Sequence, residues 1–329
     1  MAIDSIIVQN LEKSFPKKQQ GKKAPFRLQF PQPKERSRVL KDISFSVRQG
    51  EILGYIGPNG AGKSTTIKIL TGILTPDSGS VSVEGFVPWK QRMELAKKIG
   101  VVFGQKTLLW WDLSPKDIMP LYREIYEIPE KAFSKRFEEL VERFGAKEFI
   151  STPTRKLSLG ERMRCDLIVA LLHKPKVLFL DEPTIGLDAI AKEQMRSFVK
   201  KINREEKTTV FLTTHDMNDI EALADKIIVV DKGSKIFEGK IEEFKKKHVK
   251  EAVMSFEILQ VIDKSAFKSL LSKTRQLSQE GNYYELAFSI ERMDAQEAAS
   301  RLFKCCKTSS FQIKEQTLEE IIREFYELH

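Results

Sequence analysis

The sequence lacks any long apolar run. Its unbroken apolar stretches are short, such as Val177-Leu178-Phe179-Leu180 and Ile227-Ile228-Val229-Val230, whereas a membrane-spanning helix needs about 20 such residues. Met1-Ala2-Ile3-Asp4 carries no basic-then-apolar leader. Any action on a membrane is therefore expected to run through a partner. Cysteine is scarce: Cys165, Cys305 and Cys306. Three residues, two of them adjacent, make neither a disulfide framework nor a zinc spacing. A reducing compartment is the expectation.

What is present is an ordinary globular composition. In 329 residues, 41% hydrophobic and 31% charged, there is material for one large domain and a small one. The net charge of +9 is unevenly spread. Between Pro16 and Ser37 stand Lys17, Lys18, Lys22, Lys23, Arg27, Lys34 and Arg36 against Glu35 alone. Such a segment suits anionic lipid, nucleic acid or an acidic protein surface, or is a solvated loop.

Strand-like runs at 6–8, 43–47, 51–56, 79–83 and 100–103 precede a helical middle over about 114–172. Strands at 177–180, 208–213 and 226–230 then alternate with helices at 192–203 and 216–224, which implies a mostly parallel sheet covered on its faces. The helical middle reads as an inserted subdomain. Past about residue 240 the order becomes βαββαβα, with a hairpin signal at Gly281-Asn282 and a capping box from Thr317 to Glu320. That order predicts a small ferredoxin-like domain. The expected organisation is a nucleotide-binding domain over 1–240, with a basic insertion at 16–37 and a helical subdomain at about 106–172, then an accessory α+β domain over 241–329.

Gly57-Pro58-Asn59-Gly60-Ala61-Gly62-Lys63-Ser64, followed by Thr65, has the phosphate-cradling pattern between a strand and a helix. Glycines let backbone N–H groups close on phosphate oxygens, and the helix N-terminus adds its dipole. Lys63 is placed for the β- and γ-phosphates, and Ser64 for Mg²⁺. A P-loop alone fits kinases, GTPases, helicases and transporters.

Five further motifs follow in order. They are Phe103-Gly104-Gln105, Leu157-Ser158-Leu159-Gly160-Glu161, the apolar strand ending in Asp181-Glu182, Gly186-Leu187-Asp188, and His215. With them, residues 1 to about 240 resemble the ATP-binding cassette family: an α/β P-loop NTPase with an inserted helical subdomain. The resemblance implies an ATPase using ATP and Mg²⁺. In it Glu182 accepts the proton of the attacking water, His215 steadies the γ-phosphate, and Gln105 senses metal and water. Ser64, Gln105 and Asp181 would hold the metal. Phe15 stands where the family stacks an aromatic on adenine, or else fills the core. Ser158 and Gly160, with Asp188 nearby, would reach the γ-phosphate of a second subunit. The commonest signature has glycine at the place of Leu159 and glutamine at that of Glu161, which leaves the local backbone open.

Asn10-Leu11, Trp110-Trp111-Asp112-Leu113, Thr214-His215-Asp216-Met217 and the closing Thr317-Leu318-Glu319-Glu320-Ile321 look like the exporter group with separately encoded permeases. The expected partners are integral-membrane permease chains and a second cassette, identical or related. The expected location is cytoplasmic, at the inner face of the cell membrane, with no specific nucleic acid. Trp110 and Trp111 either line the groove for a permease helix or fill the subdomain core. The alternative is a soluble cassette ATPase acting on ribosomes or nucleic acid. One P-loop, no heptad run and no cysteine cluster argue against it.

Overall fold

The computed structural model describes residues 3–16, 36–104 and 106–327. Gln105 and most of the basic 16–37 segment lie outside them. The chain divides into two compact units, Met1–Ile241 and Glu242–His329.

The first unit holds two sheets. Strands β1 (Asp4–Pro16) and β2 (Arg36–Arg48) open the chain, followed by β3 (Ile52–Ile56), α1 (Lys63–Leu70), β4 (Ser78–Val83), α2 (Arg92–Ala96) and β5 (Ile99–Phe103). Helices α3 (Pro115–Ile125), α4 (Glu130–Arg143) and α5 (Leu159–Leu171) make up the helical middle. The order continues β6 (Val177–Asp181), α6 (Ala189–Glu206), β7 (Thr209–Thr213), α7 (Met217–Leu223), β8 (Lys226–Asp231) and β9 (Ser234–Gly239). The larger sheet has the order β5-β6-β7-β3-β8-β9 and is parallel except for β9. Its central strands are buried along their length, Ile52–Ile56 and Thr209–Thr213 entirely. Hence they read as unbroken apolar runs and not as alternating ones.

The first strands do not join that sheet. They form a separate antiparallel sheet, β2-β1-β4. Its inward residues Ile6, Val8, Leu11, Ile43, Val47, Val81 and Val83 meet Tyr55, Phe179 and Phe211 of the parallel sheet in one core. Phe45, Tyr55 and Phe211 pack ring against ring at 5.3–6.1 Å.

The second unit takes in α8 (Ile241–His248) from its second residue on, followed by β10 (Glu251–Val261), α9 (Lys264–Ser272), β11 (Arg275–Glu280), β12 (Tyr283–Ser289), α10 (Ala295–Cys305), β13 (Cys306–Glu315) and α11 (Leu318–Glu327). Its antiparallel sheet has the order β11-β12-β10-β13, the βαββαβ arrangement with the first and third strands central. Gly281, at φ 59°, turns the two-residue hairpin. Thr317 Oγ1 accepts from Glu320 N–H, and Thr317 N–H donates to the Glu320 carboxylate at 2.8 Å, which starts α11. Met254, Phe256, Leu286, Phe288 and Leu302 form a core of their own. Phe325 of α11 packs against Phe244 and His248 of α8.

Candidate active site

The parallel strands deliver the reactive groups at their C-terminal ends. After β3 the chain turns through Gly57–Gly62 into α1. Gly62 has φ 101°, and a Cβ there would lie 2.5 Å from Leu40 Cδ2, so only glycine fits. Lys63 is buried, and its Nζ donates to Gly57 O at 2.7 Å and Pro58 O at 3.2 Å. The ammonium is thereby held over the loop's own carbonyls. Burial lowers its pKa, and Glu182 and Asp181 work against that.

Asp181 ends β6. Its Oδ1 accepts from Thr213 Oγ1 at 2.6 Å, and Ser64 Oγ stands 3.4 Å away. A serine hydroxyl and a carboxylate oxygen this close are hard donors suited to Mg²⁺, which keeps waters for its other positions. Thr213 ends β7 and fixes the carboxylate's orientation. The next residue, Glu182, sits at φ 55° with its N–H bound to Thr213 O at 2.9 Å. A left-handed glutamate is uncommon, and it turns the side chain off the sheet edge. Glu182 Oε2 lies 2.5 Å from His215 Nδ1.

The P-loop, Glu182 and His215 line one cleft of about 770 Å³, together with Val39 and Ile185. A triphosphate-sized ligand fits there. Phe15 is half-buried on β1 beside Lys13, 5.5 Å from its Nζ, and is not part of that cleft's wall.

Ser158, Gly160 and Asp188 belong elsewhere. They line a separate cavity of about 280 Å³ with Gly186 and Gln194. Ser158 caps α5 through a capping box: Oγ accepts from Glu161 N–H, and the Glu161 carboxylate accepts from Ser158 N–H at 2.8 Å. A glutamate performs this task as well as a glutamine, which accounts for Glu161. Leu159 lies over Gly186, where an added Cβ would stand 2.9 Å from Leu159 Cδ2. Asp188 caps α6, accepting from Ala191 N–H at 2.8 Å.

A sequence profile of the ABC transporter family matches residues 40–185. The ABC transporter ATP-binding protein NatA of Bacillus subtilis is 32% identical over 213 residues, covering 65% of this chain and 86% of NatA. The chain belongs to the ABC transporter ATP-binding family. The linearmycin resistance ATP-binding protein LnrL of B. subtilis is 36% identical over 201 residues, 61% of this chain and 64% of LnrL. Among solved structures, cbiO1 of Clostridium perfringens superposes with a TM-score of 0.61 at 27% identity, over 74% of this chain and 92% of cbiO1. A dimeric cassette in a post-hydrolysis state with ADP and phosphate gives the same score at 24% identity, over 72% of this chain and 98% of that one.

Three residues of this ABC ATPase escaped the sequence reading. Thr213 grips Asp181. Asp219, fully buried on α7, accepts from Thr184 Oγ1 at 2.5 Å, Thr214 Oγ1 at 3.3 Å and Arg196 at 2.9 Å. It thus ties together the loops after β6 and β7. Asp166 on α5 is the third. The paired threonines before His215 were a visible signal for the first; nothing local marks the two aspartates.

Proposed function

We propose that this cassette is the motor of an exporter whose permease is a separate chain, seated on the inner face of the cell membrane. The observation that carries the reading is the division of the site. Among the described residues, the cleft with Lys63, Ser64, Glu182 and His215 contains no signature residue, and the cavity with Ser158, Gly160 and Asp188 contains no P-loop residue. Two cassettes set head to tail, alike or related, would bring one cavity against the other's cleft. The serine hydroxyl, the glycine N–H and the start of α5 then become donors to the γ-phosphate. ATP joins the pair and ADP does not, so closure follows the hydrolytic state.

Within the cleft Lys63 and the loop N–H groups hold the phosphates. Glu182 takes the proton of the attacking water, and His215 donates to the γ-phosphate. Ser64, Asp181 and Gln105 would hold Mg²⁺, which supplies positive charge to the β- and γ-oxygens. Gln105 lies outside the described residues, and its part rests on its position after β5.

The link to a permease is supported by exposed apolar side chains on the helical middle. Trp110 and Trp111 are 59% and 56% exposed, and Leu113, Leu121 and Ile125 are exposed as well. Exposed apolar side chains gathered in one stretch of chain suit a protein or membrane contact. No helix among the described residues is long and apolar enough to cross a membrane. Relatives whose names carry drug resistance, LnrL and the daunorubicin resistance protein DrrA3 of Streptomyces coeruleorubidus, favour export. The second unit is assigned to assembly or regulation.

The test is reconstitution of the chain with a candidate permease from its own organism. ATPase should be stimulated by the permease, and Trp110→Ala should lose that stimulation while keeping basal turnover. ATP-driven accumulation in inverted vesicles supports export. Accumulation in right-side-out vesicles would make it an importer, and stimulation by ribosomes or nucleic acid alone would restore the soluble alternative.

A further inference from the structure

Asp166 is a carboxylate only 2% exposed, set on α5 beside Cys165, Leu167 and Ile168, which are 0–1% exposed. An apolar side chain would occupy this place without the cost of burying a charge. Its partners are two neutral donors on a single oxygen: Thr107 Oγ1 at 2.9 Å and Leu108 N–H at 2.8 Å from Oδ1. These donors lie two and three residues past Gln105. The same stretch is held from its other side by α3, where Tyr122 O–H donates to Leu108 O at 2.6 Å. Farther on, Arg155 N–H donates to Trp111 O and Thr154 N–H to Leu113 O, both at 3.0 Å. Arg155 is followed two residues later by Leu157 and then by Ser158. The Arg162 guanidinium, one turn before Asp166, stands 5.5 Å from the Trp111 ring. The stretch 107–113 is therefore fastened to α5 and to the turn that leads into Ser158.

We propose that Asp166 is a positioning residue for ATP hydrolysis: it fastens the segment behind Gln105 to helix α5, so that this segment and the Ser158–Gly160 corner move as one body. The inference rests on the reading of Gln105, Ser158 and Gly160 given above. Under it, a change at the P-loop cleft of one cassette is passed through Thr107, Leu108 and Asp166 to the signature corner that serves the partner's cleft. Without the fastening, ATP still binds the P-loop, but closure and turnover lose their link.

The test uses the full chain and four variants: Asp166→Ala, Asp166→Asn, Thr107→Val and Thr107→Val with Asp166→Ala. Asn keeps the acceptor oxygen and the shape. ATPase kinetics, binding of a fluorescent ATP analogue and amide exchange of the peptide spanning 106–113 are measured. Asp166→Ala should lower kcat about tenfold or more with KM and analogue affinity within about twofold of wild type. Exchange in 106–113 should accelerate. Asp166→Asn should recover most of kcat, and the double variant should be no worse than Asp166→Ala. Unchanged kcat in a folded Asp166→Ala, or an Asn variant as poor as the Ala variant, would overturn the proposal. If Asp166→Ala does not fold, Thr107→Val decides: faster exchange with lower kcat supports the fastening, and neither effect overturns it. A wild-type chain that binds and hydrolyses no ATP removes the reading beneath. Normal wild-type turnover that Glu182→Gln abolishes, beside inert Asp166 and Thr107 variants, removes the present inference alone.

Discussion

His215 Nδ1 lies 2.5 Å from Glu182 Oε2, and the two side chains close one side of the P-loop cleft. They come from the ends of neighbouring strands, and His215 is 62% exposed while Glu182 is 18% exposed. The contact engages Oε2 of the carboxylate and Nδ1 of the ring, and each group has a second polar atom, Oε1 and Nε2, with which to meet a water or a phosphate. Glu182→Gln removes the proposed proton acceptor and leaves Lys63, Ser64 and Asp181 untouched. Steady-state ATPase should fall by about 10²–10⁴-fold, with ATP affinity retained and an ATP-bound dimer accumulating on size exclusion. Near-normal turnover would take the role from Glu182.

Gly104 offers a steric test of the same site. A Cβ there would stand 1.9 Å from Glu182 O and 3.0 Å from Ile185 Cγ2. Gly104 N–H also donates to Asp181 O at 2.8 Å. Alanine must push the end of β5 from the end of β6, and the backbone of Glu182 moves with it. Overpacking of this kind costs about 1–3 kcal/mol. Gly104→Ala should bind ATP with little loss, because the P-loop is elsewhere, yet turn over at least about tenfold more slowly. Calorimetric titration with ATP beside an ATPase assay separates the two effects, and equal turnover would show that the strand ends absorb the methyl.

Much of this site was legible because each motif is contiguous and makes its own geometry. Gly57–Ser64 is a turn and a helix start whatever surrounds it, and Asp181-Glu182 ends a strand that its own apolar run defines. The arrangement beyond single motifs was less legible. Strands β1, β2 and β4 form a second, antiparallel sheet, yet nothing in Ile6-Ile7-Val8 says which strand it pairs with. Asp166 and Asp219 look like surface acids in the sequence. Their work is defined by donors 58 residues upstream in one case and 35 in the other. Glu161 looked like a departure until the capping box gave it a local task. Trp110 and Trp111 had two readings, core or surface, and exposure decides for the surface.

Two buried groups should give the stability opposite slopes in mild acid. Burial pushes the Asp166 carboxyl up to about 6, its two hydrogen bonds and Arg162 opposing. The unfolded chain gives up this proton first, so stability is lost as pH rises from about 4 to 6, by about 3 kcal/mol in all. His173 is the reverse. Its ring stacks on Tyr126 at 3.9 Å and its Nε2 meets Ile99 O at 2.9 Å. Burial pulls its pKa down to about 4, with the Ile99 carbonyl opposing and Arg136 assisting. The unfolded chain takes up this proton first, so stability is lost as pH falls from about 6.5 to 4, again by about 3 kcal/mol. Urea unfolding at several pH values checks both. Relative to wild type, Asp166→Asn should gain with rising pH and His173→Gln with falling pH. Differences that do not vary with pH would contradict the burial of either group.

The divided site permits a sharper test where the cassette pairs with itself. Lys63 and Ser158 lie in different cavities of the same chain. In a head-to-tail pair each ATP would meet Lys63 of one subunit and Ser158 of the other. On this proposal, Lys63→Ala would remove a phosphate contact from both composite sites of its homodimer. Ser158→Arg does the same from the other side, placing a bulky cation at the α5 cap. Each homodimer should therefore fall to a few per cent of wild-type ATPase or less. A mixed dimer is different. One of its sites carries both lesions, and the other has an intact Lys63 facing an intact Ser158. Mixing the two inactive proteins should restore turnover, up to half of wild type per mixed dimer if sites act independently. Tagging the two variants differently and purifying through both tags isolates that species. The control is a dimer of one wild-type subunit with one subunit carrying both substitutions, which has one lesion in each site and should be inactive. An active control together with an inactive mixed dimer would place Lys63 and Ser158 on the same ATP within one chain, and the shared site would be wrong for this protein.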